Sequence, residues 1–248
     1  VQYTTMDRPL YPVFEMRELS SPAPAGNRIL ACLPDEARGY IVERAETRPI
    51  RAGDILFEEG ASITHTIFPH DGLVSLIARM ENGRTVEKSL IGPEGFLGFA
   101  IVMGGDTVFG RAVVQVAGHA SWLAVADARS ALRRFEPLRE AMLRFTKGHM
   151  AQLMESLACA SLHTAQQRVS RWLLQAHDRV AGDEFHITQE AVATLLALRR
   201  ATVNAVCTDL MSAGAISYHR GAVSVTDRGR LLGRACECYG RIRMAAST

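Results

Sequence analysis

The chain has 248 residues, 48% of them apolar and 22% charged, with a formal net charge of +2, a composition with enough apolar content for a globular core. No apolar run approaches the ~20 residues of a membrane span, and the opening VQYTTMDRPLYPVFEMREL carries charges and prolines where a signal peptide would carry an apolar stretch. Five cysteines, Cys32, Cys159, Cys207, Cys236 and Cys238, are too few and odd in number for a disulfide framework, so the sequence predicts a soluble protein of a reducing cytoplasm, with no membrane partner.

In chain order, residues 1–30 read as an N-terminal arm or linker that ends in SSPAPAGN, Ser20 to Asn27. Pro34, Asp35 and Glu36 then mark the start of a short helix. From Ile50 to Val125 glycines recur and separate short runs rich in β-branched and aromatic residues: 55–57, 66–68, 73–77, 85–86, 112–116 and 122–125. Short strands at this spacing predict an antiparallel barrel or roll, and Asn82-Gly83 is the strongest hairpin signal among them. Residues 31–136 are therefore expected to form a β-roll with a sensor-like shape.

Asp127 is placed to cap a short helix that ends near Phe135. A longer helix follows over 137–162. Leu143, Met150 and Leu157 repeat every seven residues along it, and Thr146, Leu153 and Ala160 fall on an offset row. That pattern predicts a short coiled-coil-like seam for a second copy of the chain, with Leu138, Met142 and Phe145 facing the barrel.

Residues 163–232 carry the most specific signals. A helix over 165–180 has Val169, Trp172, Leu173 and Ala176 on one face. After a break at Ala181–Glu184, Thr188 caps a short helix with Val192, Leu195 and Leu196 inward and the acid Glu190 at its positive end. A turn around Ala197-Leu198 leads to a second helix, from about Arg199 to Ser212, that buries Val203, Val206, Leu210 and Met211 and stops at Gly214. Its other face opens with Arg199, Arg200, Thr202 and Asn204. Arginine pairs with guanine, asparagine with adenine, and hydroxyls and guanidinium groups hold phosphates. Two short strands around Arg220-Gly221 complete a winged helix-turn-helix. The candidate DNA-binding residues are Thr188, Gln189, Arg199, Arg200, Thr202, Asn204 and Arg220. Charge agrees: from Thr164 onward there are 11 arginines, no lysine and 7 acids, a net +4 that leaves −2 on the rest of the chain.

The last stretch, 233–248, reads as a C-terminal tail whose residues 234–239 belong to a closing helix. Its Cys236-Glu-Cys238 has no second pair or nearby histidine in sequence to complete a metal site, so no metal is expected there. The predicted fold class is α+β: an antiparallel β-roll, a long dimerisation helix and a C-terminal winged helix-turn-helix.

These features together resemble the Crp/Fnr family of bacterial transcription regulators over nearly all of the chain after residue 30. GDILFEEG (53–60) is similar to the family's early barrel turn, and GPEGFLG (92–98) to the approach to its effector pocket. Thr188-Gln-Glu followed by LRRATV (198–203) resembles its helix-turn-helix. The resemblance implies a cyclic-nucleotide-binding-like barrel and a homodimer that reads a near-palindromic operator in double-stranded DNA. Activation of transcription would add RNA polymerase as a partner. The effector pocket falls on Gly98, Phe99, Arg111 and Ala112. Cyclic-AMP binders carry Gly-Glu and Arg-Ser or Arg-Thr there. Phe99 accepts no hydrogen bond from a ribose hydroxyl and Ala112 offers no hydroxyl to a phosphate, which speaks against cyclic AMP and leaves the small-molecule effector unidentified or absent. Cys32 is the one cysteine near the N-terminus, which speaks against an iron–sulfur cluster. His65, His70 and His119 lie near barrel strands without a ligand motif, and haem stays open. In the recognition helix Arg200 matches the cyclic-AMP receptor pattern, while Ala201 and Ala205 replace its Glu and second Arg, so a different operator is implied.

The competing reading is a cupin-like metal-dependent enzyme fused to a helix-turn-helix. It needs closely spaced histidines and a carboxylate on one metal. His65 and His70 are five residues apart, which places them on opposite faces of a strand. The sequence therefore predicts a regulator with no catalytic residues.

Overall fold

The computed structural model describes residues 26–247. Most of the expected N-terminal arm, residues 1–25, lies outside the described residues, and its last few residues are corrected to part of the body. Helix α1 (Arg28–Ala31) starts at Asn27, whose Oδ1 accepts from the backbone N–H groups of Ile29 and Leu30 at 3.1 and 3.2 Å. The same side chain donates through Nδ2 to the carbonyls of Pro69 at 2.9 Å and Gly95 at 2.7 Å. A buried amide with its hydrogen-bonding capacity used in this way fixes the chain entry, and it places Ile29 and Leu30 in the core.

Helix α2 (Asp35–Arg44) follows Pro34 and inserts Ala37 and Ile41. Seven antiparallel strands come next: β1 (Glu46–Ile50), β2 (Ile55–Phe57), β3 (His65–Pro69), β4 (Leu73–Arg79), β5 (Thr85–Ile91), β6 (Arg111–Val116) and β7 (Gly118–Ala124). They form two sheets, ordered β1-β7-β3 and β2-β6-β4-β5. Ile50, Ile67 and Trp122 from the first sheet meet Phe57, Val74, Leu76 and Ile91 from the second in one apolar core. The β4–β5 hairpin turns at Asn82-Gly83, with Gly83 at φ +79° and the Asn82 side chain accepting from the Arg84 backbone N–H at 3.0 Å. Strand β1 escapes the sequence pattern because ETRPI is polar and holds a proline. It is an edge strand, where a missing N–H is harmless, and Arg48 stacks on Trp122 at 4.1 Å.

Helix α3 (Val125–Arg134) leads into α4 (Glu136–Leu162), 27 residues long with Pro137 in its first turn. Its inner face, Leu138, Met142 and Phe145, packs on the barrel as the spacing predicts. Gly95 is needed there, because a Cβ on it would meet the Phe145 ring at 2.1 Å.

The C-terminal region comprises α5 (Ala165–His177), β8 (Glu184–His186), α6 (Gln189–Leu195), α7 (Arg200–Ser212), β9 (Ile216–His219), β10 (Ala222–Val225), α8 (Arg228–Leu232) and α9 (Cys238–Ser247). The stretch expected to be a tail is thus mostly a helix, and α9 packs along α4. Thr164 and Gln167 form a reciprocal capping box at the start of α5. Trp172 on α5 is fully buried and donates from Nε1 to the Glu87 carboxylate at 3.1 and 3.2 Å, which also accepts from Ser75 Oγ at 2.6 Å. Burial pushes the Glu87 carboxyl above its ordinary range, against the pull of those donors. Leu73 and Leu90 of the barrel belong to the same apolar cluster as Trp172, so the helix-turn-helix is docked on the barrel sheet. Among the described residues no helix is long and apolar enough to cross a membrane.

Candidate nucleic-acid interface

The interface is assembled by three backbone devices. Thr188 caps α6, its Oγ1 accepting from the Ala191 backbone N–H at 3.1 Å. The turn out of α6 runs through Ala197 at φ +51°, a left-handed conformation uncommon outside glycine. It is held by hydrogen bonds from Ala197 N to the Thr194 carbonyl at 3.2 Å and from Leu198 N to Ala193 at 2.8 Å. Arg168 on α5 donates to the Leu196 carbonyl at 2.6 Å and closes the end of α6. Sequence pattern finds the turn but not its handedness, since alanine carries no left-handed signal.

Helix α7 buries Val203, Val206, Cys207 and Leu210. That leaves Arg199, Arg200 and Asn204 exposed and Thr202 half-exposed on the opposite side. Arg200 Nε sits 3.5 Å from Glu190 Oε2, an exposed pair joining the first turns of α6 and α7 that the sequence did not reveal. The wing turns at Arg220 (φ +48°) and Gly221 (φ +85°), the double positive φ of the tight hairpin turn that matches strand twist. Arg220 is exposed at its tip, and the carbonyl of Gly221 accepts from Ile187 N at 2.8 Å, next to Thr188. Thr188, Gln189 and the wing tip are thereby neighbours. Cys207 is 2% exposed, and burial pushes its thiol up to about 11, so this cysteine packs rather than reacts.

Of the four residues expected at an effector pocket, Gly98 and Phe99 line a small space in the barrel, while Arg111 and Ala112 are not among its lining residues. Gly98 takes φ +87° ahead of a 3-10 turn, Phe99–Met103. Phe99 packs against Phe109 and His149 with ring centroids 5.7 and 5.1 Å away. Arg111 Nε is 3.1 Å from Glu58 Oε2, and Ala112 is fully buried. The space left between Phe57, Leu76, Leu97, Phe99 and Phe109 is about 10 Å³, room for a single water at most.

The dimer seam is corrected in part. Leu143, Met150 and Leu157 are exposed, at 42, 56 and 72%. Thr146 instead faces the protein interior, its Oγ1 donating to the Met142 carbonyl at 2.8 Å, and Leu153 is half-buried. The row that accompanies the exposed leucines is Lys147, Met154 and Ser161, four residues on rather than three, because the barrel covers the other flank of α4. Met154 and Leu162, 71 and 80% exposed, extend the apolar face. His70 and His119 serve the barrel: His70 Nε2 lies 2.6 Å from Ser121 Oγ, and its Nδ1 accepts from Asn27 N at 3.2 Å. His119 Nδ1 lies 3.5 Å from Asp71, while His65 Nδ1 lies 3.1 Å from the neighbouring Thr64 hydroxyl.

One expectation about the C-terminus fails. Cys236 and Cys238 do have neighbours at the end of α4, 77 and 75 residues earlier in the chain: Cys236 Sγ lies 3.5 Å from Cys159 Sγ, and Cys238 Sγ 3.6 Å from Nδ1 of His163, the residue after α4.

Comparison with known proteins agrees with this architecture. Residues 167–234 match the Crp-like helix-turn-helix domain. The chain therefore carries a helix-turn-helix of the Crp type, and its overall fold is that of the Crp/Fnr regulators, with a cyclic-nucleotide-binding-like barrel. FixK2 from Bradyrhizobium japonicum superposes with a TM-score of 0.67 at 16% identity, over 77% of this chain and 98% of that one. TTHB099, a CRP-family transcriptional regulator from Thermus thermophilus, gives 0.64 at 18%, over 76% and 96%. CLP, a c-di-GMP responsive global regulator from Xanthomonas campestris, gives 0.60 at 14%, over 77% and 99%. No curated protein matches the sequence.

Proposed function

We propose that the protein is a cytoplasmic, sequence-specific DNA-binding transcription regulator of the Crp/Fnr type. It acts as a homodimer on a near-palindromic operator, one α7 per half-site. The observation that carries this reading is the outward face of α7. Arg199, Arg200, Thr202 and Asn204 stand together on a helix whose other side is fully committed to the core, inside the segment that matches a Crp-like helix-turn-helix. Arg199, Arg200 and Asn204 are the base readers or phosphate clamps at the start of the helix. Thr188, Gln189 and Arg220 hold the flanking backbone. The apolar row Leu143, Met150, Met154 and Leu157 supports pairing of two α4 helices.

The barrel works as a scaffold, or as the receptor for an effector other than cyclic AMP; the packing of Phe99 on Phe109 and the small space beside them support this reading. Nothing among the described residues favours a barrel enzyme, since His70 and His119 are engaged with Ser121 and Asp71.

Selection of bound fragments from a random DNA pool at fixed salt, with and without cyclic AMP, tests the proposal. A two-fold-symmetric motif should be enriched equally in both conditions, and Arg200→Ala should lose it. Failure to bind DNA even non-specifically at low salt would overturn the regulator reading, and enrichment only with cyclic AMP would overturn the reading of the barrel.

A further inference from the structure

Where α4 ends and α9 begins, four metal-ligating side chains converge from two distant stretches of chain. Cys159 lies in the last turn of α4, and His163 is the extended residue that caps the end of that helix. Cys236 and Cys238 flank the start of α9. The sulfurs of Cys159, Cys236 and Cys238 and a ring nitrogen of His163 all lie within 4.8 Å of one another. We propose that these residues form a Cys3His site for one zinc ion that clips the C-terminal helix to the end of the long helix.

The geometry matches the metal. A tetrahedral zinc with bonds of about 2.3 Å to sulfur has ligand atoms about 3.8 Å apart. Here the Cys159–Cys236 and Cys238–His163 edges are 3.5 and 3.6 Å. Three thiolates and one imidazole are a soft donor set that suits zinc and excludes magnesium or calcium. The thiols are 0, 5 and 2% exposed and the His163 side chain 13%. A site so enclosed has four protein ligands and no open position for water, which is the arrangement of structural rather than catalytic zinc.

The surroundings orient the histidine as a metal site requires. His163 turns Nδ1 to Cys238, while its Nε2 lies 3.3 Å from Glu237 Oε2, the residue between the two cysteines. A carboxylate on the far ring nitrogen keeps the proton there and leaves the near nitrogen free to bind. Binding releases the three thiol protons, and three thiolates with Zn²⁺ leave a net charge of −1. The guanidinium of Arg171, on the buried side of α5, acts electrostatically on Cys159 and offsets that charge. Residues 159–163 directly precede α5, so the clip would fix the exit of α4 from which the helix-turn-helix hangs.

The test uses the full-length, tag-free protein purified under reducing conditions without added metal. Elemental analysis should find one zinc per chain. After chelation, cobalt(II) should restore the site with thiolate-to-cobalt charge-transfer bands and the strong ligand-field bands of tetrahedral coordination. Cys159→Ser with Cys238→Ser should abolish both signals, Cys32→Ser should leave them intact, and Glu237→Gln should weaken affinity about 10–100-fold with an unchanged ligand set. His163→Cys should keep the metal and intensify the charge-transfer bands, a gain that a merely misfolded variant does not produce. Wild-type protein that takes up neither zinc nor cobalt overturns the proposal, and so does undiminished zinc in the double cysteine variant.

Discussion

The ring of Phe99 lies 5.1 Å from the ring of His149, so the turn at the mouth of the barrel pocket and the middle of α4 share one aromatic stack. Phe145 joins it, 5.4 Å from His149. His149 is held by burial between these rings. Its Nε2 is 3.0 Å from Ser89 Oγ, and its Nδ1 has no hydrogen-bond partner among the described residues.

That burial sets a pH dependence. Burial lowers the His149 pKa to about 4, with Glu94 opposing the shift and Arg179 adding to it. Below pH 6.5 the unfolded chain takes up a proton that the folded one refuses. Stability should therefore fall as pH drops from about 6.5 to about 4, then level off, by on the order of 3 kcal/mol from this residue. Urea denaturation of wild type and His149→Gln across that window measures it. Identical slopes for the two proteins would remove His149 from the account.

Arg179 and Glu94 form the second tie between barrel and C-terminal region, 2.7 Å apart with side chains 10 and 17% exposed. Arg179 also donates to the Gln175 carbonyl at 2.9 Å and to Gln152 Oε1 at 3.3 Å. Arg179→Ala leaves a buried carboxylate uncompensated and should cost about 3–5 kcal/mol. Removing both charges together, with Glu94→Gln and Arg179→Met, should recover part of that loss in chemical denaturation. A double variant no better than the single one would show that packing, not charge, is what Arg179 supplies.

The outer face of α4 predicts assembly. Met154→Glu with Leu157→Glu alters two side chains that touch little within the protomer, being 71 and 72% exposed. Sedimentation equilibrium should report a dimer for wild type and a monomer of unchanged helicity for the variant. A variant that remains dimeric would move the interface elsewhere.

On DNA, Arg220 and Arg200 should behave differently. Arg220, at the tip of the wing, is placed for the backbone. Arg220→Ala should weaken binding to all sequences alike and reduce the salt slope of log K by about 1. Arg200→Ala should instead cost about 1–3 kcal/mol of discrimination between operator and mutated operator. Titrations at several salt concentrations on both DNAs separate the effects, and a uniform loss for both variants would mean that Arg200 reads no base.

Much of this architecture is written in local signals. Asn82-Gly83 announces its hairpin, and the capping Thr188 with the periodic apolar residues of α7 announces the helix-turn-helix. What stays hidden is long-range or atypical. Cys236 and Cys238 look solitary because Cys159 and His163 lie at the end of α4 and just past it, brought near by the packing of α9 on α4. Thr146 sits at a plausible heptad position, yet the barrel claims that flank of the helix. Strand β1 is missed because edge pairing tolerates Pro49 and exposed charges. Glu87, an unremarked acid within a strand, turns out to receive Trp172 from the C-terminal region.

The filled barrel has a kinetic and thermodynamic corollary. A ligand cannot enter a residual space of about 10 Å³, so an effector that binds in this part of the barrel must wait for Phe99 and Phe109 to swing out. Its apparent affinity is then its intrinsic affinity scaled by the small fraction of molecules already open, and its association rate follows the frequency of opening rather than its own concentration once it is abundant. Because Phe99 leans on His149 of α4, the open fraction would be sensed at this long helix before any ligand arrived.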